Sequence, residues 1–285
     1  MERIKEAINK ARLSRHMLAQ NMQPAANGEA GLAATRSATS PLPHLPAGGA
    51  PVWQPPVVRL NPAHLERNRI VSYMKEDVSH VAFDILRTRV QQTLAEHQWT
   101  TIAVTSPTSG CGKTMVACNM AISMARQAGF RVVLIDLDLR RPAVAKTLGV
   151  PVRQSLGQYV EGTARLEDCF VSISDDLFVG LNTHPIKNPT EMIQQDVIKD
   201  ILPQIRQGLN PDVVIFDLPP MLVSDDVIAF LPQMESGLLV AASGKTTPKE
   251  LEECERQFEG GAAFLGVVLN KCTDLSQEYY QYSSD

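Results

Sequence analysis

The chain has 285 residues, with 27 Lys and Arg against 31 Asp and Glu, giving a formal net charge of −4. That balance provides no field to gather a phosphate backbone, which excludes nucleic acid as a main partner, and a 44% hydrophobic composition excludes a wholly disordered chain. Five scattered cysteines, Cys111, Cys118, Cys169, Cys254 and Cys272, form no CxxC pair and read as reduced thiols of a cytoplasmic protein, and no apolar run reaches the roughly 18 residues of a membrane helix.

Residues 1–20 place Ile4, Ile8, Ala11 and Leu18 on one helical face, with Arg3, Lys5, Lys10, Arg12 and Arg15 around them. This reads as a short amphipathic helix, either a frayed terminus or a docking element for a partner or an anionic membrane surface. The first residues also lack the apolar stretch of a secretory signal. Residues 21–60, dominated by Ala, Gly, Pro and Ser, read as a flexible linker in which Trp53 stands alone. A domain is expected over 61–274, with a helix at about 75–97 near its start, and residues 275–285 form a tail.

Within the domain, short apolar runs at 100–106, 131–138, 175–182, 212–220, 236–243 and 262–270 are bounded by polar or turn residues. Such runs suit strands buried on both faces of a parallel sheet. Segments of helical length lie near 113–128, 190–207, 225–232 and 248–258, the last with Thr247 as cap and Pro248 in the first turn. The alternation predicts an α/β fold of P-loop type, a mostly parallel sheet with helices on both faces and the ligand at the carboxyl ends of the strands.

Strand 101–105 runs into Ser106-Pro107-Thr108-Ser109-Gly110-Cys111-Gly112-Lys113-Thr114, and a helix follows. Glycines there let backbone N–H groups turn toward phosphate oxygens, the helix N-terminus adds its dipole, and a lysine and a hydroxyl reach the terminal phosphates and a magnesium ion. Pro107 stands where the usual pattern begins with glycine, but the G-x-G-K-T core is intact. Lys113 is read as a solvated phosphate ligand. Asp136 and Asp138 end the next strand and Asp217 ends a later one. Carboxylates at strand ends beside a P-loop suit a magnesium ion that keeps most of its waters.

Together these motifs resemble the bacterial tyrosine kinases, which use a P-loop fold. The resemblance rests on S-x-x-x-G-x-G-K-T at 106–114 and on Asp136-Leu137-Asp138-Leu139-Arg140 followed by Arg141-Pro142. It also rests on Asp217-Leu218-Pro219-Pro220, on Asn188-Pro189-Thr190-Glu191, and on the strand ending at Asn270-Lys271. Tyr279, Tyr280 and Tyr282, three of the five tyrosines, crowd into the tail like the family's C-terminal cluster. The related partition and division-site ATPases carry a lysine five positions before the P-loop lysine; here that position is Thr108.

The resemblance implies an ATP-dependent protein-tyrosine kinase that phosphorylates its own tail. Gly110, Cys111, Gly112, Lys113 and Thr114 would hold the phosphates of ATP, and Asn270 would read adenine. Thr114, Asp138 and Asp217 would hold Mg²⁺. Lys113, Asp136 and Asp138 would be catalytic, with Asp136 as acceptor of the phenol proton or exchanging that role with Asp138. Tyr279, Tyr280 and Tyr282 of a neighbouring subunit would be the substrates.

The resemblance further implies a role in exopolysaccharide synthesis and export, at the inner membrane through a separate membrane adaptor, with weak membrane association through residues 1–20. Two other readings stay open: a regulatory ATPase of the partition type, and an adaptor that keeps the ATP site without transfer. The family's E-x-x-R-x-x-R assembly motif falls on Val81, Asp84 and Arg87, so only its last residue survives, and a monomer or weak oligomer is expected.

Overall fold

The computed structural model describes residues 52–74, 79–186 and 200–272. The helix expected at 1–20, the linker through residue 51, the 188–191 segment and the tail tyrosines lie outside the described residues.

Seven strands form one sheet: β1 (Thr101–Thr105), β2 (Val132–Asp136), β3 (Phe170–Ser174), β4 (Leu177–Gly180), β5 (Val213–Asp217), β6 (Ser236–Ala242) and β7 (Ala263–Asn270). Their order is β3-β4-β2-β5-β1-β6-β7, and every neighbouring pair is parallel except β3 with β4. The sequence reading missed β3, which turns back on β4 through Asp175 and Asp176 and bears no apolar run as long as the others. β1, β2 and β5 are buried along their whole length, which is why they read as continuous apolar runs.

The helices are α1 (Pro62–Arg67), α2 (His80–His97), α3 (Lys113–Ala125), α4 (Val144–Leu148), α5 (Leu156–Val160), α6 (Ile201–Leu209), α7 (Asp226–Phe230) and α8 (Pro248–Phe258). They build a separate core on each face of the sheet. On one, Ile102, Val104, Leu134 and Ile215 pack with Val116, Met120 and Met124 of α3. On the other, Ala103, Val133, Ile135 and Phe216 pack with Ile205 of α6 and Phe258 of α8. Alternate residues of one strand thus enter opposite cores, the two-residue period of a pleated strand. At α8 the Thr247 side chain caps Glu250 N, while Glu250 accepts from Thr247 N at 2.7 Å, so this start forms as expected.

Residues 52–60, which the sequence reading assigned to the linker, dock instead along the edge of the sheet. Val58 N donates to Ser172 O at 2.8 Å and Ser172 N to Pro56 O at 3.0 Å, so the strap covers the open side of β3. Trp53 is not alone. Its main-chain N–H donates to Gly208 O at 2.9 Å, and its ring lies 5.7 Å from that of Phe170. Gly208 makes room for it, since a Cβ there would stand 2.2 Å from Trp53 Cε2. A linker composition hid this because the contacts are main-chain pairing plus one aromatic anchor, neither of which needs an apolar period.

On α2, Asp84 accepts from Ser123 Oγ at 2.6 Å and from Arg87 Nη1 at 3.0 Å, and Arg87 also donates to Ser123 O. The surviving arginine of the assembly motif is therefore tied to α3 of its own chain. Val81 and Ile85, one turn apart, stay 44% and 47% exposed.

Gly208→Ala should expel Trp53 from its seat, giving a red-shifted tryptophan emission and a stability loss of about 1–3 kcal/mol in urea unfolding. An unshifted spectrum would show that the strap is held without that contact.

Candidate active site

The site is assembled by strand register. β5 lies between β1 and β2, with Val104 opposite Asp217 and Asp136 opposite Asp217. The P-loop leaves the end of β1, so Lys113 and Thr114 at the start of α3 arrive beside both carboxyl strand ends. The segment after β5 is laced onto the entry of the loop: Thr105 Oγ1 donates to Pro219 O at 2.7 Å, Met221 N to Ser106 O at 2.8 Å, and Leu222 N to Pro107 O at 3.1 Å.

Lys113 is not the solvated ligand the sequence suggested. It is 8% exposed, with Nζ 2.8 Å from Asp138 Oδ2 and 3.3 Å from Asp217 Oδ1. Thr114 Oγ1 donates to the other Asp217 oxygen at 2.6 Å. Burial alone would weaken the ammonium, but Asp217 and Asp138 outweigh it and hold Lys113 above its ordinary range. Burial raises Asp217, against the pull of Lys113.

Asp136 is fully buried and sits apart from the lysine in its bonding. Its carboxylate accepts from Asp138 N at 3.2 Å and from Ala143 N and Val144 N at 2.9 Å each. It thereby ties the loop after β2 to the start of α4. Burial first, then neighbouring Asp217, push its carboxyl up to about 8.

Two glycines shape the cradle. Gly110 and Gly112 have φ of +79° and +95°, and a Cβ on Gly112 would stand 2.2 Å from Asn270 Nδ2. Asn270, at the end of β7, donates from Nδ2 to Cys111 O at 2.8 Å and so buttresses the loop from behind. The Cys111 side chain is buried, with Sγ facing Thr108 and Thr246, so only its main chain is available to a ligand.

The structure gives three residues a supporting role that the sequence reading did not assign. Arg140 Nε donates to Asp226 Oδ2 at 2.6 Å and to Ser224 Oγ at 3.1 Å, clamping the segment after β2 to the one after β5. Asn182 Nδ2 donates to Asp136 O at 2.7 Å. Lys245, in the turn after β6, donates from Nζ to Ser109 O in the P-loop. Arg140 stands in the D-x-D-x-R motif, but its partners, like those of Asn182 and Lys245, lie far away in the chain and have no local signal.

The residues fit a nucleotide with a hydrated divalent cation. The positive-φ glycines leave a cradle that side chains would fill, and the donors beside it are hard oxygens: one hydroxyl and two carboxylates. Among the described residues there is no group of three or more His, Cys, Asp or Glu that could hold a metal ion.

Comparison with known proteins agrees with this geometry. Residues 102–282 match the CobQ/CobB/MinD/ParA nucleotide binding domain, which defines the class as a P-loop nucleotide-binding protein. The tyrosine-protein kinase CpsD of Streptococcus pneumoniae is 32% identical over 205 residues, 70% of this chain and 86% of the relative. A putative tyrosine-protein kinase in the cps region of Klebsiella pneumoniae is 26% identical over 196 residues, 68% of this chain but 27% of that longer protein. Among solved structures, the kinase domain of Escherichia coli tyrosine kinase ETK superposes with a TM-score of 0.62 at 28% identity, covering 68% of this chain and 76% of the other. The chain belongs to the bacterial tyrosine-protein kinases, built on that nucleotide-binding domain. These relatives favour the kinase reading over the partition-type ATPase.

Lys113→Met should abolish tyrosine phosphorylation and, because it strands Asp138 and Asp217, also destabilise the fold by up to about 3–5 kcal/mol. Anti-phosphotyrosine detection and thermal melting check the two effects; a variant that labels like the wild type would refute the P-loop assignment.

Proposed function

We propose that the chain is an ATP-dependent protein-tyrosine autokinase that acts in exopolysaccharide or capsule export. The observation that carries this reading is Lys113 held between Asp138 and Asp217 at the mouth of a P-loop, in a chain of the tyrosine kinase family. The backbone N–H groups from Gly110 to Thr114 receive the phosphates of ATP. Lys113 moves from Asp138 to the terminal phosphates, exchanging one anionic partner for another. When bound, Mg²⁺ would supply charge neutralisation at the β- and γ-phosphates, held by Thr114 and, through water, by Asp138 and Asp217.

Asp138, rather than Asp136, is assigned as acceptor for the phenol proton. The Asp136 oxygens are committed to three backbone amides, whereas Asp138 has Lys113 and Arg141 N as partners beside the cradle. A phenol with a pKa near 10 is protonated at neutral pH and needs such an acceptor. Asn270 keeps one Nδ2 hydrogen beyond its bond to Cys111 O, and this is assigned to the adenine edge.

Tyr279, Tyr280 and Tyr282 are the assigned acceptors, delivered from a neighbouring subunit. Membrane contact is assigned to a separate adaptor, as the family resemblance implies, supported weakly by residues 1–20, with the kinase on the cytoplasmic side.

Replacing Tyr279, Tyr280 and Tyr282 together by Phe should remove most autophosphorylation and spare nucleotide binding. Mass spectrometry that placed the phosphates mainly on Tyr73 or Tyr159 would overturn the tail assignment. The purified chain should scatter light as a monomer or weak oligomer at micromolar concentration, since Asp84 and Arg87 are paired internally. A stable closed ring without partner or lipid would show that α2 associates through other contacts.

A further inference from the structure

We propose that Lys245 is a catalytic residue that places a second cation, from within the same chain, on the terminal phosphoryl group of the nucleotide. The inference rests on the kinase reading above and adds a group that neither the P-loop pattern nor the strand-end carboxylates contain.

The position is built rather than accidental. Lys245 sits in the turn after β6, whose geometry is fixed at several points. Lys245 N and Thr246 N both donate to Ala242 O, at 3.2 and 2.9 Å. Ala242 N donates back to Thr246 Oγ1 at 2.9 Å, and Gly244 takes the positive φ of +71° that the turn requires. Ser243 N donates to Asn270 O at 2.8 Å, which joins the turn to the same residue that buttresses the P-loop. From this frame the Lys245 side chain crosses to the loop. Its Nζ donates to Ser109 O and lies 3.3 Å from where a Gly110 Cβ would be.

Charge gives that position its meaning. Lys113 is already shared between Asp138 and Asp217, two carboxylates on different strand ends, so the inner cation has anionic partners to leave before it can serve a nucleotide. Arg140, the cation beyond Asp138, is engaged by Ser224 and Asp226. Thr108 contributes no charge to the rim. In a P-loop the N–H groups face the bound phosphates while the carbonyls turn away. Lys245 Nζ thus rests on the carbonyl side of the loop, beside Gly110, and a swing of its side chain would exchange the Ser109 carbonyl for a terminal phosphate, a stronger and fully charged acceptor.

During transfer the bond between the γ-phosphorus and the β,γ-bridging oxygen breaks and a bond from the tyrosyl oxygen forms. The phenol proton passes to a carboxylate, and ADP leaves with the electron pair. Charge builds on the transferring oxygens and the bridging oxygen, where a cation held in place needs no reorganisation.

The test uses the full chain and its Lys245→Met and Lys245→Arg variants. Single-turnover autophosphorylation at saturating Mg-ATP should slow by about 100-fold in Lys245→Met, the loss expected for one preorganised donor. Lys245→Arg should retain about a tenth or more of the rate. Calorimetric titration should show weaker binding of a non-hydrolysable ATP analogue to Lys245→Met, with ADP affinity within about twofold of wild type. A rate within about threefold of wild type would overturn the proposal. So would equal losses for ADP and the ATP analogue, which would make Lys245 a tether of the loop. A wild-type chain that bound neither nucleotide would overturn the P-loop reading itself.

Discussion

One buried ammonium holds the catalytic end of this molecule together. Lys113 lies between Asp138 and Asp217, two carboxylates carried by different strand ends, in a place that is almost dry. Ion pairs of this kind gain little net stability over an apolar replacement, because both partners lose water. Their value is positional. The pair fixes the P-loop against β2 and β5. The same dryness makes the charges interact strongly, which suits transfer of an anionic group.

Around that pair the remaining polar residues act as struts. Asp136 gives its oxygens to the main chain after β2, Arg140 binds the segments after β2 and β5 to each other, and Asn270 presses on the loop from β7. Arg140 and Asn270 tie together segments that belong to different strand ends, whereas Asp136 holds the loop that follows its own strand. The three-carboxylate arrangement thus separates into one residue that shapes the loop, Asp136, and two that meet the lysine.

The edges of the domain show a different economy. The strap at 52–60 shields β3, at the far edge of the sheet from β7, by main-chain hydrogen bonds and a single tryptophan. On α2, Arg87 turns inward to Asp84 and Ser123, while Val81 and Ile85 form an exposed apolar pair. Internal pairing with Ser123 satisfies Asp84 without any neighbour.

The sequence by itself determined the strands that carry the site. β1, β2, β5 and β6 are uninterrupted apolar runs because both faces are covered, the half-buried edge strand β7 keeps an apolar run as well, and the P-loop is legible because its glycines and lysine are contiguous. The capped start of α8 was legible for the same local reason. What only the tertiary structure decided depends on partners distant in the chain. The burial of Lys113 follows from register between β1, β5 and β2. Lys245 reaches Ser109 across 136 positions, and Trp53 finds its seat at Gly208 because that residue lacks a side chain. Composition and period report what one segment prefers, whereas these contacts arise only when the sheet brings separate segments within hydrogen-bond distance.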